Sequence, residues 1–325
     1  MGWWSSAMRT RSTQWTYLYI PRGTESAEVE PETSYLSVFL RTAYVVDVRR
    51  GLRRYYGAVN SSIALPARSG TTAQFISSHS PSALQDVTPG SEDRFLQVNR
   101  RLAGPVPFVG GDVEAEVGLF SVASSELAGP YLKLLESLSK VPALAFVGAA
   151  LPFLEPAKQG IQLLAGDAEG TALEIGFAAL WRPLRTGWVV AARVPQDGRR
   201  FRVDPADGRL LDAAGQPVEG YPYLVLEVNA AHTRDDWFLI PEIAASYEEL
   251  RREARRGRPA DVEEALVAFR RAALTSDDLL FDDAIKLADD VRKKFTEAGL
   301  AGPEVRSSAR REALPDLGTF SPFEA

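Results

Sequence analysis

Two histidines, at positions 79 and 232, and no cysteine are all that this 325-residue chain offers for imidazole or thiolate chemistry. A histidine general base, or a metal site built on imidazole, has to use one or both of them. His232 lies in Asn229-Ala230-Ala231-His232-Thr233-Arg234-Asp235-Asp236, beside two carboxylates and a guanidinium. An aspartate can orient an imidazole and raise its basicity, so a hydrolase with a carboxylate-histidine site would draw on His232, Asp235 and Asp236. The same residues also admit a plainer role. Asp235 or Asp236 caps the helix that follows, and Arg234 is its exposed ion-pair partner. His79, in Ser77-Ser78-His79-Ser80-Pro81-Ser82, reads as a solvated turn residue.

The lack of cysteine excludes disulfides, thiolate zinc or iron-sulfur sites and a cysteine nucleophile. The chain contains no GxxxxGK[ST], GxGxxG, HExxH or GxSxG motif, so the strong local signatures of nucleotide, dinucleotide, zinc-protease and α/β-hydrolase chemistry are missing. No cofactor is expected. The pairs Asp277-Asp278, Asp282-Asp283 and Asp289-Asp290 have the residue type that hard cations take, but their phase places them mostly on a solvated helix face, so no metal site is expected.

Two segments could act by recognition. Arg49, Arg50, Arg53, Arg54, Tyr55 and Tyr56 form a basic cluster with adjacent aromatics, suited to an acidic protein surface or to single-stranded nucleic acid, with a purely solvated turn as the plainer reading. An anionic membrane is a second candidate partner. A net charge of -6 disfavours a general nucleic-acid binder. Charge is also uneven: residues 1–100 carry 11 Arg against 8 acids, and residues 236–300 carry 11 bases against 15 acids. The other segment is the uncharged run 141–154, with Phe146, Val147, Leu151 and Phe153 as its large apolar residues. As a helix it would reach about 21 Å, short of the roughly 20 residues a bilayer crossing needs, and Pro142 and Pro152 interrupt it. It is expected to be buried in a helical hairpin, with insertion into a membrane or a partner as the sharper alternative.

The elements that must position these residues are mostly strands. Alternation with β-branched and aromatic residues marks 13–20, 35–48, 57–65, 72–77, 172–181, 187–194 and 223–230. Val113, Ala115, Val117 and Leu119 alternate with Asp112, Glu114 and Glu116, giving a strand with one wet acidic face. Residues 93–102 are compatible with a short helix, and 196–220 read as turns around a small hairpin. Helical spacing holds over 125–164 and again after Pro241. There Ile243, Tyr247, Leu250 and Ala254 form one face and Gly257 a stop, followed by Val262 to Ala273 and a third helix from Thr275 or Ser276.

The expected fold is therefore α+β. Residues 1–12 form a flexible start, 13–232 a mostly antiparallel β-sandwich-like domain with a helical-hairpin insert at 125–166, 235–299 a three-helix unit and 300–325 a flexible tail. Helices are missing between most strands, which argues against a doubly wound sheet. The start carries no apolar stretch of signal-peptide length, and Arg-rich, Lys-poor usage suits a GC-rich bacterial genome, so a bacterial cytoplasmic protein is expected. The functional expectation is a non-catalytic protein-interaction or effector module. A hydrolase built on His232 and a membrane-active protein built on 141–154 are the alternatives.

Overall fold

The computed structural model describes residues 16–21, 27–46, 49–50, 53–79, 95–123, 171–194 and 200–301. The expected flexible start, the helical insert with Phe146, Val147, Leu151 and Phe153, and the tail from 302 lie outside the described residues. The fold is α+β with mostly antiparallel sheets. The chain divides into two compact units, the first drawing on Met1–Val29, Leu36–Gly104 and Gly110–Ala230 and the second on Glu30–Tyr35, Pro105–Val109 and Ala231–Ala325.

The strands are β1 (Thr16–Ile20), β2 (Tyr35–Tyr44), β3 (Arg49–Arg50), β4 (Arg53–Pro66), β5 (Thr72–His79), β6 (Phe95–Pro107), β7 (Val113–Ala123), β8 (Thr171–Trp181), β9 (Gly187–Ala192), β10 (Arg202–Val203), β11 (Leu210–Leu211) and β12 (Tyr223–Ala231). One sheet runs β1-β9-β12-β2-β6. Another runs β3-β4-β7-β8, with β5 also on β4, and β10-β11 is a separate ribbon. Period-two burial follows from the pleat. On β7, Val113, Ala115, Val117 and Leu119 are fully buried while Glu114 is exposed and Asp112 and Glu116 are half-buried, so the expected wet face is solvated only in part. Tyr17 of β1 joins the two larger sheets. Its hydroxyl donates to the Gly176 carbonyl at 2.7 Å, and its ring meets Phe177 edge-on at 5.2 Å.

The expected short helix at 93–102 is instead the start of β6. Leu96, Val98 and Leu102 all fall on even positions, which fits strand alternation as well as it fits helical spacing. Gly104 lies inside the strand. It takes a φ of 81°, and a Cβ there would stand 2.0 Å from the Leu36 carbonyl oxygen, so β6 passes β2 at a distance only glycine permits.

The second unit holds a 3₁₀ turn at Trp237–Leu239 and three helices, α1 (Pro241–Arg256), α2 (Pro259–Thr275) and α3 (Phe281–Glu297). Pro opens α1 and α2 at the first turn, where its missing N–H has no partner to lose. Gly257 ends α1 in the left-handed conformation, with its N–H on the Glu253 and Ala254 carbonyls. The helices pack through aromatic edges, with Tyr247 5.8 Å from Phe269 and 6.1 Å from Phe295. The third helix starts five or six residues later than its sequence suggests. Ser276 is extended and its Oγ accepts the Asp278 N–H at 3.2 Å, a local side-chain bond that competes with a helical first turn. Two short segments complete this unit: Phe108 N–H donates to Ser34 at 2.9 Å and Glu32 N–H to Phe108 at 2.7 Å. No described helix is long and apolar enough to cross a membrane.

Candidate functional site

His232 follows β12 and is exposed. Its Nδ1 lies 3.0 Å from the Thr33 carbonyl oxygen. A carbonyl only accepts, so the ring nitrogen in that bond carries the hydrogen. Neither Asp235 nor Asp236 is hydrogen-bonded to the ring. Asp235 is exposed, and Asp236 Oδ1 instead accepts from Arg234 Nε at 2.6 Å. The three residues singled out as an acid-base set are thus neighbours in sequence that form no hydrogen bond with one another: His232 turns to Thr33, Asp236 to Arg234, and Asp235 is exposed.

The capping role fails for the same reason. Asp236 occupies the N-cap position of the 3₁₀ turn without a side-chain cap bond, and Ile240 holds that position for α1. Arg234, expected to be an exposed partner, is among the most buried side chains of the protein. Its Nε is paired with Asp236, and its Nη1 donates to the carbonyls of Pro105 and Asp278, each at 2.9 Å, with the Asp278 carboxylate 3.6 Å away. A buried guanidinium needs this number of acceptors, because a buried charge without them costs several kcal/mol.

Asp278 and Asp283 are buried as well, against the expectation of a solvated face. Tyr35 donates its hydroxyl hydrogen to Asp283 Oδ2 at 2.7 Å while its oxygen accepts the Leu280 N–H at 3.0 Å. Burial raises the Asp283 carboxyl above its ordinary range, opposed by that hydrogen bond, and burial together with the nearby Asp283 charge pushes the Tyr35 phenol upward. Ser276 Oγ donates to Glu242 Oε1 at 2.7 Å. Around Arg234 and Tyr35 the second unit therefore holds a satisfied polar network, whose chemistry is anchoring. The spacing of Asp283, Leu287 and Val291, four residues apart each, was the available signal that Asp283 shares the buried stripe.

The first unit has its own buried carboxylate. Glu227 of β12 is 1% exposed and is paired with Arg41 of β2, whose Nη1 also donates to Asn99 at 3.1 Å. Arg41 and Arg101 lie 5.2 and 5.7 Å from the Phe39 ring centre. Glu227 stands in the run Tyr-Leu-Val-Leu-Glu-Val, and a carboxylate inside a central, otherwise apolar strand is the mark of a buried ion pair.

His79 is not in a polar loop. It is the last residue of β5, opposite Val59 of β4, which in turn faces Leu119 of β7. Its Nε2 is buried without a hydrogen-bond partner, and burial, with the Arg100 charge second, lowers the imidazole pKa to about 4. Among the described residues no group of three or more His, Asp or Glu side chains comes together in a way that would hold a metal ion.

The basic cluster is a two-strand ribbon. Arg49 pairs with Arg54 and Arg50 with Arg53 across β3 and β4, and Tyr55 and Tyr56 continue β4 opposite Ala123 and Val122 of β7. Comparison with known proteins yields nothing to set beside this arrangement: no family model, no curated protein and no solved structure matches the chain.

Proposed function

We propose that this chain is a non-catalytic interaction module of a bacterial cytoplasm that recognises an acidic protein surface through the β3–β4 ribbon. The observation that carries this reading is the register, which sets arginine opposite arginine at two successive positions. Like charges directly opposed on an antiparallel pair disfavour each other, so a backbone register of this kind would gain from anionic groups on a partner surface. Arginine suits that task because its planar fork matches a carboxylate bidentately. A protein patch is favoured over nucleic acid or an anionic bilayer because the chain as a whole is negative, at -6, and a local basic ribbon can engage a compact acidic patch without bringing the rest of the chain against an extended anionic surface.

The test is binding to a Glu/Asp-rich peptide, with heparin and phosphatidylserine vesicles as competing arms, for the wild-type chain and an Arg50→Glu/Arg53→Glu variant. Peptide binding that weakens at least about tenfold in the variant and falls with added salt supports the reading. Preference for heparin or vesicles, or peptide binding indifferent to the double reversal, overturns it.

A further inference from the structure

The ribbon β10–β11 and the turn after it border a cavity of about 410 Å³ in the first unit, with Phe201 and Tyr221 as aromatic walls, Val194 and Val218 as aliphatic ones, and Asp212 and Glu219 as its carboxylates. We propose that this cavity binds a primary ammonium group carried on an alkyl chain. The Asp212 carboxylate is fixed before any ligand arrives: Oδ1 accepts the N–H groups of Ala214 and Gln216, both at 2.9 Å. Asp212 N–H closes the turn on the Gln216 carbonyl at 2.9 Å, and Gly215 supplies the left-handed residue with a φ of 81°. Asp212 Oδ2 has no partner among the described residues. Arg202 lies close by, with Nη2 3.1 Å from where a Cβ on Gly215 would stand, yet it forms no ion pair with Asp212.

The class of ligand follows from what is left. One carboxylate oxygen of Asp212, with Glu219 at the exposed rim, supplies less negative charge and fewer carboxylate oxygens than a hard cation taking 6–8 oxygens draws on, and Phe201, Val194 and Val218 add no side-chain oxygen. A guanidinium prefers two parallel acceptors on one carboxylate, and here Oδ1 is already engaged. An ammonium is a compact charge that needs single acceptors, while its methylene stem suits valine and aromatic walls and its charge is drawn to the ring faces. Such a group reaches the protein either as a free alkylamine or as a lysine side chain of a partner. This site shares no residue with the arginine ribbon and stands independently of the function proposed for it.

The experiment is a titration of the full chain with cadaverine and with the peptide acetyl-Gly-Lys-Gly-amide, followed by calorimetry and the Tyr221 ring resonances, with the norleucine and arginine peptides as controls. We expect at least one ammonium probe to bind at concentrations up to about 10 mM, where a ligand with a Kd near 1 mM approaches saturation. Stronger binding of cadaverine identifies a free amine as the ligand, and stronger binding of the lysine peptide a partner side chain. Asp212→Asn keeps an oxygen for Ala214 and Gln216 while removing the charge, so it should weaken binding at least about tenfold with an unchanged melting temperature. Should that variant lose stability, Glu219→Gln at the exposed rim provides the same reading. No binding of either ammonium probe, equal binding of the norleucine or arginine peptide, or undiminished binding to the charge-neutral variants overturns the proposal.

Discussion

Acid should destabilise the first unit through a single side chain, His79. The row His79, Val59, Leu119, Ile175 runs across four strands, and only its first member is polar. With Nε2 buried and unpartnered, the fold favours the neutral ring and lowers its pKa from 6.5 to about 4. The unfolded chain therefore takes up a proton first. The full contribution to stability is present above about pH 6.5 and is lost as pH falls through that value toward 4. From RT ln[(1 + 10^(6.5−pH))/(1 + 10^(4−pH))], the loss between about pH 7 and about pH 5 is about 2 kcal/mol. Urea unfolding at the two pH values measures it, with His79→Leu as the reference that cannot titrate. The variant should lack this increment and keep only the slope contributed by carboxylates. Because the chain has two histidines, ring NMR on a His232→Ala background follows His79 alone. A ring that titrates near 6.5, or a pH dependence unchanged by His79→Leu, refutes the reasoning.

Two further outcomes follow from the second unit. Arg234→Met leaves Asp236, Asp278 and two carbonyls facing an apolar side chain and should cost about 3 to 5 kcal/mol in denaturant unfolding, with Arg234→Lys restoring little because one ammonium cannot replace the fork; a loss below about 1 kcal/mol would show that the network is dispensable. Phe269→Ala, on α2 at a site 1% exposed against Tyr247 of α1, should cost about 3 to 5 kcal/mol, and a change under about half a kilocalorie would mean the ring packs against nothing.

Much of the architecture was legible because it rests on periodicity. Ile243, Tyr247, Leu250 and Ala254 repeat at helical spacing, Pro241 and Gly257 bracket them, and α1 occupies that span. Val113 to Leu119 alternate and form β7 with its acidic outer face. What periodicity could not supply was the partner of a charged group. Arg234 looked exposed because arginine usually is, and its burial depends on carbonyls of Pro105 and Asp278 far away in the sequence. His79 lay among serines, yet Ser61 and Ser77 bond each other at 2.6 Å inside the sheet, so a polar stretch proved to be a buried strand. The arginine ribbon was visible as composition, whereas the opposition of like charges needed the register. Asp212 was hidden in a turn-rich stretch, and only the placement of Phe201 and Tyr221 around it makes it a candidate.

The bond between Tyr35 and Asp283 spans 248 positions of the chain. During synthesis at about 5 to 20 residues per second, the Tyr35 hydroxyl waits roughly 12 to 50 seconds for its acceptor to be made. The nascent second unit holds its first segment, residues 30–35, long before it holds any helix to receive it. Completion of this unit therefore has to follow the synthesis of Asp283, and the wait itself is a window in which a chaperone or a neighbouring chain can engage Tyr35.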